Sequence, residues 1–308
     1  MLDEFNNKPK RYNNLNTFLR EKFQKKVFKV SLNANFKCPN RDGTINHEGC
    51  VFCDNGSGDY AGNKNEDLVT QFHKVKEAMH QKWPEARYIG YFQANSNTYA
   101  AVDVLKKKYE QILEINDVVG LAIATRPDAI SEEVLDYLAK LNEKTFLIIE
   151  LGLQTIHPAT NILINRGHTL KDFENMVKKL NKRNIHVVVH IINGLPFETK
   201  EMMLKTIEYL NTLPIKGIKF HMLYVLKNTR LAEIYEKEKF PLLSRKEYID
   251  IICEQINILR SDIIIHRLTG DPNPDNLIAP KWVLKKFELL NAIDDELEKR
   301  NIEQKKTE

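Results

Sequence analysis

The chain has 308 residues, of which 42% are hydrophobic, and 46 basic against 42 acidic side chains give a formal net charge of +4. This length suits one large α/β domain with a small appendage or two modest domains, and so mild a charge barely favours a nucleic-acid partner over none. The sequence has no apolar run of membrane-spanning length and no secretory signal in its first 15 residues. It therefore predicts a cytoplasmic protein with no membrane association.

Apolar runs of strand length alternate with amphipathic stretches of helix length. The predicted strands are 27–33, 87–93, 119–125, 146–152, 186–193 and 217–224, and the predicted helices between them are 66–82, 100–115, 131–142, 170–184 and 198–213. Such βα alternation predicts a parallel sheet. Five or six consecutive units favour a partial (β/α)6 TIM-like barrel, with a doubly wound sheet as the alternative.

The alternation of strands and helices ends after Tyr224. Helices are predicted from 229 and over 244–260, followed by a strand at 263–268, a turn-rich GDPNPDN segment and a final helix from 279. We interpret this part as a small C-terminal α+β extension. The predicted organisation is an N-terminal extension (1–25), a (β/α) core (26–228) and a C-terminal extension (229–308).

Three of the four cysteines, Cys38, Cys50 and Cys53, follow the first predicted strand. Three thiolates are one fewer than a closed tetrahedral metal site requires, but they can hold a [4Fe–4S] cluster whose fourth iron stays open. The alternative is a structural zinc site completed by His47 or a remote ligand, although the chain has no second Cys-x-x-Cys pair. Cys253 occupies an apolar helical position and is predicted to be a buried, inert thiol.

The cysteine loop, ending in Cys-x-aromatic-Cys, resembles that of the radical S-adenosylmethionine (SAM) superfamily, with a first gap of eleven residues in place of the usual three. Further segments are similar to a stand-alone bacterial family related to the radical domain of the Elongator catalytic subunit. They are GYFQANSNT (90–98), ATRPD (124–128), ELGLQT (150–155), NRGHT (165–169), INGLP (192–196) and IKFHMLYVLKNT (218–229). The ordered set spans about residues 27 to 270.

This resemblance implies an enzyme that uses a [4Fe–4S] cluster and SAM to generate a 5′-deoxyadenosyl radical. Gln93 stands where relatives often have a Gly-Gly-Glu-like triplet that contacts the amino group, and Glu150 with Gln154 suits a ribose diol. Arg166 resembles a ligand of the cofactor carboxylate. The implied cofactor-binding residues are Phe52, Gln93, Glu150, Gln154, Arg166, His190 and Asn193.

Some polar residues of the matching segments and their neighbours also have a structural interpretation. Glu150 in an apolar strand must face a ligand or be paired, and we favour the ligand. Arg126 binds a carboxylate or clamps Asp128. His168 and His190 are ligands or satisfied structural histidines.

The substrate is the least constrained inference. Family resemblance implies wobble uridine of tRNA, with conversion of a 5-carboxymethylaminomethyl to a 5-aminomethyl group, and a reducing partner such as flavodoxin or ferredoxin. The alternatives are a radical enzyme acting on a small molecule or protein, and a non-catalytic zinc or nucleic-acid-binding protein. The candidate substrate contacts, which would form a basic rim able to meet phosphates, are Lys219, His221, Lys227, His266 and Arg267.

Overall fold

Residues 10–54 and 61–305 are described by the structure, a computed structural model. The first nine residues of the predicted N-terminal extension and the last three residues of the chain lie outside this part. What the sequence predicts for those segments stays a prediction.

A parallel sheet curls into a partial barrel. The strands of the described chain are β1 (Val27–Leu32), β2 (Arg87–Phe92), β3 (Val118–Thr125), β4 (Phe146–Gln154), β5 (His186–Asn193), β6 (Gly217–Met222), β7 (Val225–Leu226), β8 (Ile264–Arg267) and β9 (Leu277–Ala279). Seven of them form the sheet in the order β1-β2-β3-β4-β5-β6-β8, and every neighbouring pair is parallel. The predicted partial barrel is thus confirmed.

The sheet contains one strand more than the six predicted. Strand β8, which the sequence assigned to the C-terminal extension, pairs with β6, where Gly217 lies opposite Ile264. Strands β7 and β9 form a separate antiparallel pair. The boundary proposed at residue 228 stays a prediction, but the sheet continues beyond it.

Helix α1 precedes the first strand, and the other helices follow in chain order. They are α1 (Leu15–Phe23), α2 (Leu68–His80), α3 (Val102–Leu113), α4 (Glu132–Lys144), α5 (Pro158–Leu163), α6 (Leu170–Asn181), α7 (Lys200–Leu210), α8 (Arg230–Glu238), α9 (Arg245–Ile258) and α10 (Lys286–Lys299). Ser131 caps α4 by accepting a hydrogen bond from Val134 N, and Thr169 with Asp172 forms a capping box on α6. The described residues contain no helix that is both long and apolar enough to cross a membrane.

The last helix begins later than the sequence predicts. Ala279, where the predicted helix begins, instead ends β9 (Leu277–Ala279), which pairs with β7. A short 3-10 helix, Lys281–Leu284, then leads into α10. The GDPNPDN turn thus leads into β9, which pairs with β7 before the helix begins.

Two apolar layers fix the barrel. The larger one lies between the sheet and its outer helices and takes alternate residues of each strand, such as Val187 and Val189 of β5. A smaller cluster joins Leu19 of α1 to Ile148 and Val188, so α1 closes the amino-terminal end of the barrel. The carboxyl ends of the strands are left to form the site, as is usual for such barrels.

Candidate active site

The three clustered cysteines line one cavity at the carboxyl ends of the strands. Cys38, Cys50 and Cys53 share its wall with Glu150 of β4 and Lys219 of β6, and its volume is about 510 Å³. This volume lies within the usual range for small-molecule sites. The cavity therefore brings the predicted cluster ligands and the barrel interior into one compartment.

Tight turns shape the cysteine loop. The carbonyl of Cys38 accepts hydrogen bonds from Arg41 N (2.9 Å) and Asp42 N (3.1 Å), and that of Cys50 accepts one from Cys53 N (3.0 Å). Asn165 anchors the loop from the segment after β4 by donating from Nδ2 to the Gly49 carbonyl at 2.7 Å. The loop thus folds back as its many turn-forming residues predict.

Polar donors face two of the sulfurs. Asn40 Nδ2 lies 3.6 Å from Cys50 Sγ, and Arg41 Nη1 lies 3.7 Å from Cys53 Sγ. Burial raises the pKa of the Cys50 thiol to about 12, so this sulfur needs a bound cation to become a thiolate. Donors aimed at the sulfurs match the hydrogen bonds that surround iron–sulfur clusters, so the residues fit such a cluster.

The zinc alternative finds no geometric support. Within residues 10–54 and 61–305, no three His, Cys, Asp or Glu side chains form a group able to hold one metal ion. His47 packs against Gly43 and does not line the cavity. A cubane cluster, in contrast, binds each cysteine to a different iron and does not require the sulfurs to converge on one point.

A buried charged cluster forms the inner part of the cavity. The Glu150 carboxylate lies 2.7 Å from Lys29 Nζ, 2.5 Å from Lys219 Nζ and 2.8 Å from His190 Nε2. Lys219 Nζ also donates to Tyr91 Oη at 3.0 Å. Glu150, predicted to face a ligand, is therefore paired with side chains from three other strands while still lining the cavity.

Burial and charge act against each other in this cluster. Burial opposes ionisation of Glu150, but Lys219, Lys29 and His190 outweigh it and hold the pKa of its carboxyl well below the usual range. Burial lowers the pKa of Lys219 to about 7, although Glu150 acts in the opposite direction. Burial thus makes Lys219 easier to deprotonate, and its ion pair with Glu150 opposes this effect.

Three predicted cofactor residues line the cavity in positions open to a ligand. Phe52 lies between the second and third cysteines, Gln93 directly follows β2, and Gln154 ends β4. Ser31 Oγ donates to Gln93 Oε1 at 3.2 Å. Gln154 has a left-handed backbone, with φ of 65°, which turns the chain at the strand end. The roles assigned to these residues stay predictions.

Arg166 lines the cavity, but its guanidinium binds the main chain. Its nitrogens donate to the carbonyls of Leu153, Thr155 (2.7 Å) and His168 (3.2 Å). The planar fork expected to bind the cofactor carboxylate is therefore occupied in holding the end of β4 to the following loop. Arg126 forms the expected clamp, with Nε and Nη2 at 2.9 and 2.7 Å from the Asp128 carboxylate.

The two histidines of this region have main-chain or carboxylate partners. His168 Nε2 lies 3.0 Å from the Gly152 carbonyl, and burial lowers the pKa of His168 to about 4, so it is neutral at physiological pH. His190 lines the cavity against Glu150. Asn193 lies outside the cavity lining and exchanges hydrogen bonds of 2.7 and 2.9 Å with Gln255 of α9, so the structure gives it a packing contact in place of the predicted cofactor contact.

The predicted substrate contacts divide into two groups. Lys219, His221 and Arg267 line the cavity. Lys227 lies outside its lining and donates to the Asp275 carbonyl at 2.8 Å, and His266 packs deeper in the barrel, against His186. Lys227 and His266 thus lie apart from the cavity lining, and the substrate roles of all five residues stay predictions.

Sequence reasoning did not assign Lys29 or Arg41 to the site. Lys29 lies on β1 and points into the barrel toward Glu150. Strand alternation is the signal that could have found it, since residues 27 and 29 of β1 share a face. Arg41 lies within the turn-rich loop, where sequence pattern gives no direction for a side chain.

Comparison with known proteins decides the family. The model of the radical SAM superfamily matches residues 38–210, and that of the radical SAM C-terminal domain matches residues 215–299. The chain belongs to the radical SAM superfamily. The enzyme class and the cofactors expected from the sequence, a [4Fe–4S] cluster and SAM, are thereby confirmed.

Relatives of the chain include proteins of similar length. The chain is 50% identical to YtqA of Bacillus subtilis (96% of this chain, 92% of the relative) and 31% identical to YhcC of Escherichia coli K12 (92% of each). It is 27% identical to the tRNA uridine(34) acetyltransferase of Methanocaldococcus infernus, over 54% of this chain and 32% of that protein. Archaeal Elp3 from the same organism shares the fold, with a TM-score of 0.70 and 17% identity over 91% of this chain and 64% of that chain.

Proposed function

We propose that this radical SAM enzyme modifies the side chain of wobble uridine in tRNA, converting a 5-carboxymethylaminomethyl group to a 5-aminomethyl group. The observation that carries the proposal is the likeness to Elp3 over 91% of the chain, joined to sequence similarity with a tRNA uridine(34) acetyltransferase. The reaction assigned here differs from acetyl transfer, and it rests on the family resemblance and on the radical chemistry that the cluster and SAM supply.

Loss of the carboxymethyl group is an oxidation followed by hydrolysis. When bound, the cluster and SAM supply a 5′-deoxyadenosyl radical that accepts a hydrogen atom and a centre that accepts one electron. The reacting carbon is the methylene between the amine nitrogen and the carboxylate. Removing one hydrogen atom and then one electron from it gives a protonated imine. Water hydrolyses this imine to the ammonium form of the aminomethyl group and glyoxylate, so the atoms and charges balance.

The residues of the cavity suit a base presented from outside. The target nucleotide must leave the anticodon stack to reach a barrel mouth, as single-stranded bases do when proteins read them. Phe52 offers an aromatic face beside the cysteines, and Arg267 adds a cation to the cavity lining. Cluster thiolates require a reducing compartment, so we assign the enzyme to the cytoplasm with a flavodoxin or ferredoxin as electron donor.

Anaerobic turnover of a defined tRNA tests the proposal. The reconstituted, reduced enzyme is mixed with SAM and with tRNA that carries either the carboxymethylaminomethyl group or unmodified uridine. We expect 5′-deoxyadenosine, glyoxylate and the aminomethyl nucleoside in equal amounts, and only with the modified tRNA. Cys50→Ala should abolish all three products, whereas Cys253→Ala, which alters a buried thiol outside the cavity, should leave them intact.

Two results would count against the proposal. Release of 5′-deoxyadenosine that is independent of tRNA, with no change in the nucleoside, would favour a small molecule or a protein as substrate. Conversion by Cys50→Ala at the rate of the wild type would remove the cluster from the reaction.

A further inference from the structure

The barrel interior contains charged groups where such barrels usually hold branched apolar side chains. Lys29, Glu150 and Lys219 come from β1, β4 and β6, and their side chains are 14%, 0% and 7% exposed. Buried charges are costly unless they are paired or serve a ligand. This cost calls for a reason beyond packing.

The charges of this cluster do not balance. One carboxylate, Glu150, is shared by two lysines and by His190. Arg267, which also lines the cavity, pairs with Asp271 at 3.2 Å, and Asp271 also pairs with Lys286 at 2.6 Å. With both lysines protonated the cluster has one cation more than it has anions, and a second anion entering the cavity would complete the pairing.

An independent observation points to a ligand at the same place. His221 lines the cavity beside His190, with ring centroids 5.4 Å apart, and its Nε2 is buried without a hydrogen-bond partner. Most buried polar atoms have partners, and an exception marks a missing ligand or water. The His221 side chain that carries the unpartnered nitrogen and the Lys219 side chain both line this cavity.

We propose that Lys219 and His221 form a subsite that binds a carboxylate of the substrate, with Lys29 pairing Glu150 beside it. The inference rests on the proposed function, since the carboxymethyl group of the tRNA side chain would be that carboxylate. A carboxylate held here would position the adjacent N–CH2 carbon inside the cavity that the cysteines line. A side chain that lacks the acid would leave the surplus cation without an anion. The enzyme would therefore select the carboxymethylated side chain.

A tRNA-free pair of probes tests the subsite. N-benzylglycine and its neutral amide share the ring, the amine and the methylene groups, and differ in the charge of the acid. Their dissociation constants are measured by calorimetry on the reconstituted holoenzyme with SAM bound. A charge-assisted hydrogen bond contributes about 1.5–3 kcal/mol, so the wild type should bind the acid at least about tenfold more tightly than the amide.

Variants give predictions of opposite sign. Lys219→Met should abolish the preference for the acid, whereas Glu150→Gln, which removes the competing anion, should strengthen binding of the acid about threefold. A purely structural cluster would weaken binding of both probes in both variants. Lys205→Met, which removes an exposed cation of α7 outside the cavity, is the matched control, and Lys29→Met replaces Lys219→Met if that variant fails to fold.

The outcomes separate this inference from the function on which it rests. Equal binding of the two probes by the wild type overturns the subsite even if tRNA turnover succeeds. A preference for the acid that depends on Lys219 supports it even if tRNA turnover fails. Loss of SAM affinity in Lys219→Met, with the acid preference intact, would assign the lysine to the cofactor carboxylate and overturn the inference.

Discussion

Arg126 Nη1 donates a 2.7 Å hydrogen bond to the main-chain oxygen of Arg166. The two arginine residues are 8% and 2% exposed and line the cavity with the cysteines. Each is fixed by other partners, Arg126 by Asp128 and Arg166 by carbonyls at the end of β4. The loops after β3 and β4 are thus locked together, and two cations stand where the thiolates of a bound cluster would bring negative charge.

Replacing Arg166 by lysine should destabilise the fold. A single ammonium cannot reproduce the planar fork that reaches three carbonyls, so buried acceptors lose their donors. We expect a loss of about 3 kcal/mol in the free energy of unfolding, measured by urea denaturation. Arg183→Lys is the matched control, since its partner Asp136 is exposed and it should change stability by less than about 0.5 kcal/mol.

Stability and cofactor affinity together distinguish two roles for Arg166. If Arg166→Lys keeps wild-type stability but binds SAM weakly, the predicted contact with the cofactor carboxylate is correct and the structural role is wrong. If the stability falls while the iron content of the folded fraction is unchanged, the loop-locking role stands.

Asn193→Ala should affect stability without affecting SAM. Its amide exchanges two hydrogen bonds with Gln255, and both residues are buried, 2% and 0% exposed. Truncation leaves Gln255 without this partner, at a cost of about 1–3 kcal/mol in unfolding free energy. The dissociation constant of SAM, measured on the reconstituted protein, should stay within about twofold of wild type. A selective loss of SAM affinity would restore the role predicted from the sequence.

The contrast between β5 and the residues around it marks what sequence pattern can predict. The run HVVVHIIN is continuous and β-branched, so its strand was predicted with the observed limits, His186–Asn193. Position at a strand end also brought His190 correctly to the cavity. These inferences depend on local pattern alone.

Partners from distant segments could not be predicted in this way. Asn193 faces Gln255, which lies 62 positions away. Lysines of β1 and β6 pair with Glu150. The free-energy cost of burying this carboxylate without a bound ligand is therefore offset only once the sheet has curled and brought these strands to it. The same holds for β8, whose four residues carry too little pattern to reveal that they extend the sheet.

Acidification should destabilise the protein through its buried histidines. Burial lowers the pKa of His168 to about 4 and that of His186 to about 3, below the usual value of about 6.5. The unfolded chain therefore binds more protons than the fold between these values and pH 6.5. Stability is fully present above pH 6.5 and is lost as the pH falls, by up to about 1.4 kcal/mol per pH unit for each histidine.

His186→Phe isolates this effect. The ring of His186 lies 5.6 Å from the rings of both Phe18 and Phe146, so phenylalanine keeps the packing and removes the titration. Between pH 6.5 and 4.5 the wild type should lose about 2 kcal/mol more than the variant in urea denaturation. His73→Gln, at an exposed position, should follow the wild type. Parallel curves for wild type and His186→Phe would show that His186 titrates normally.

Changing Gln93 should alter SAM affinity in a direction set by charge. Gln93 lines the cavity directly after β2, where the family resemblance implies contact with the cofactor amino group. Gln93→Ala removes this acceptor and should weaken SAM binding about tenfold, whereas Gln93→Glu supplies a carboxylate for the ammonium and should tighten it. Iron content should stay unchanged in both variants, and Gln111→Ala on the outer helix α3 should bind SAM like the wild type. If Gln93→Glu binds SAM as weakly as Gln93→Ala, the side chain does not meet the cofactor ammonium.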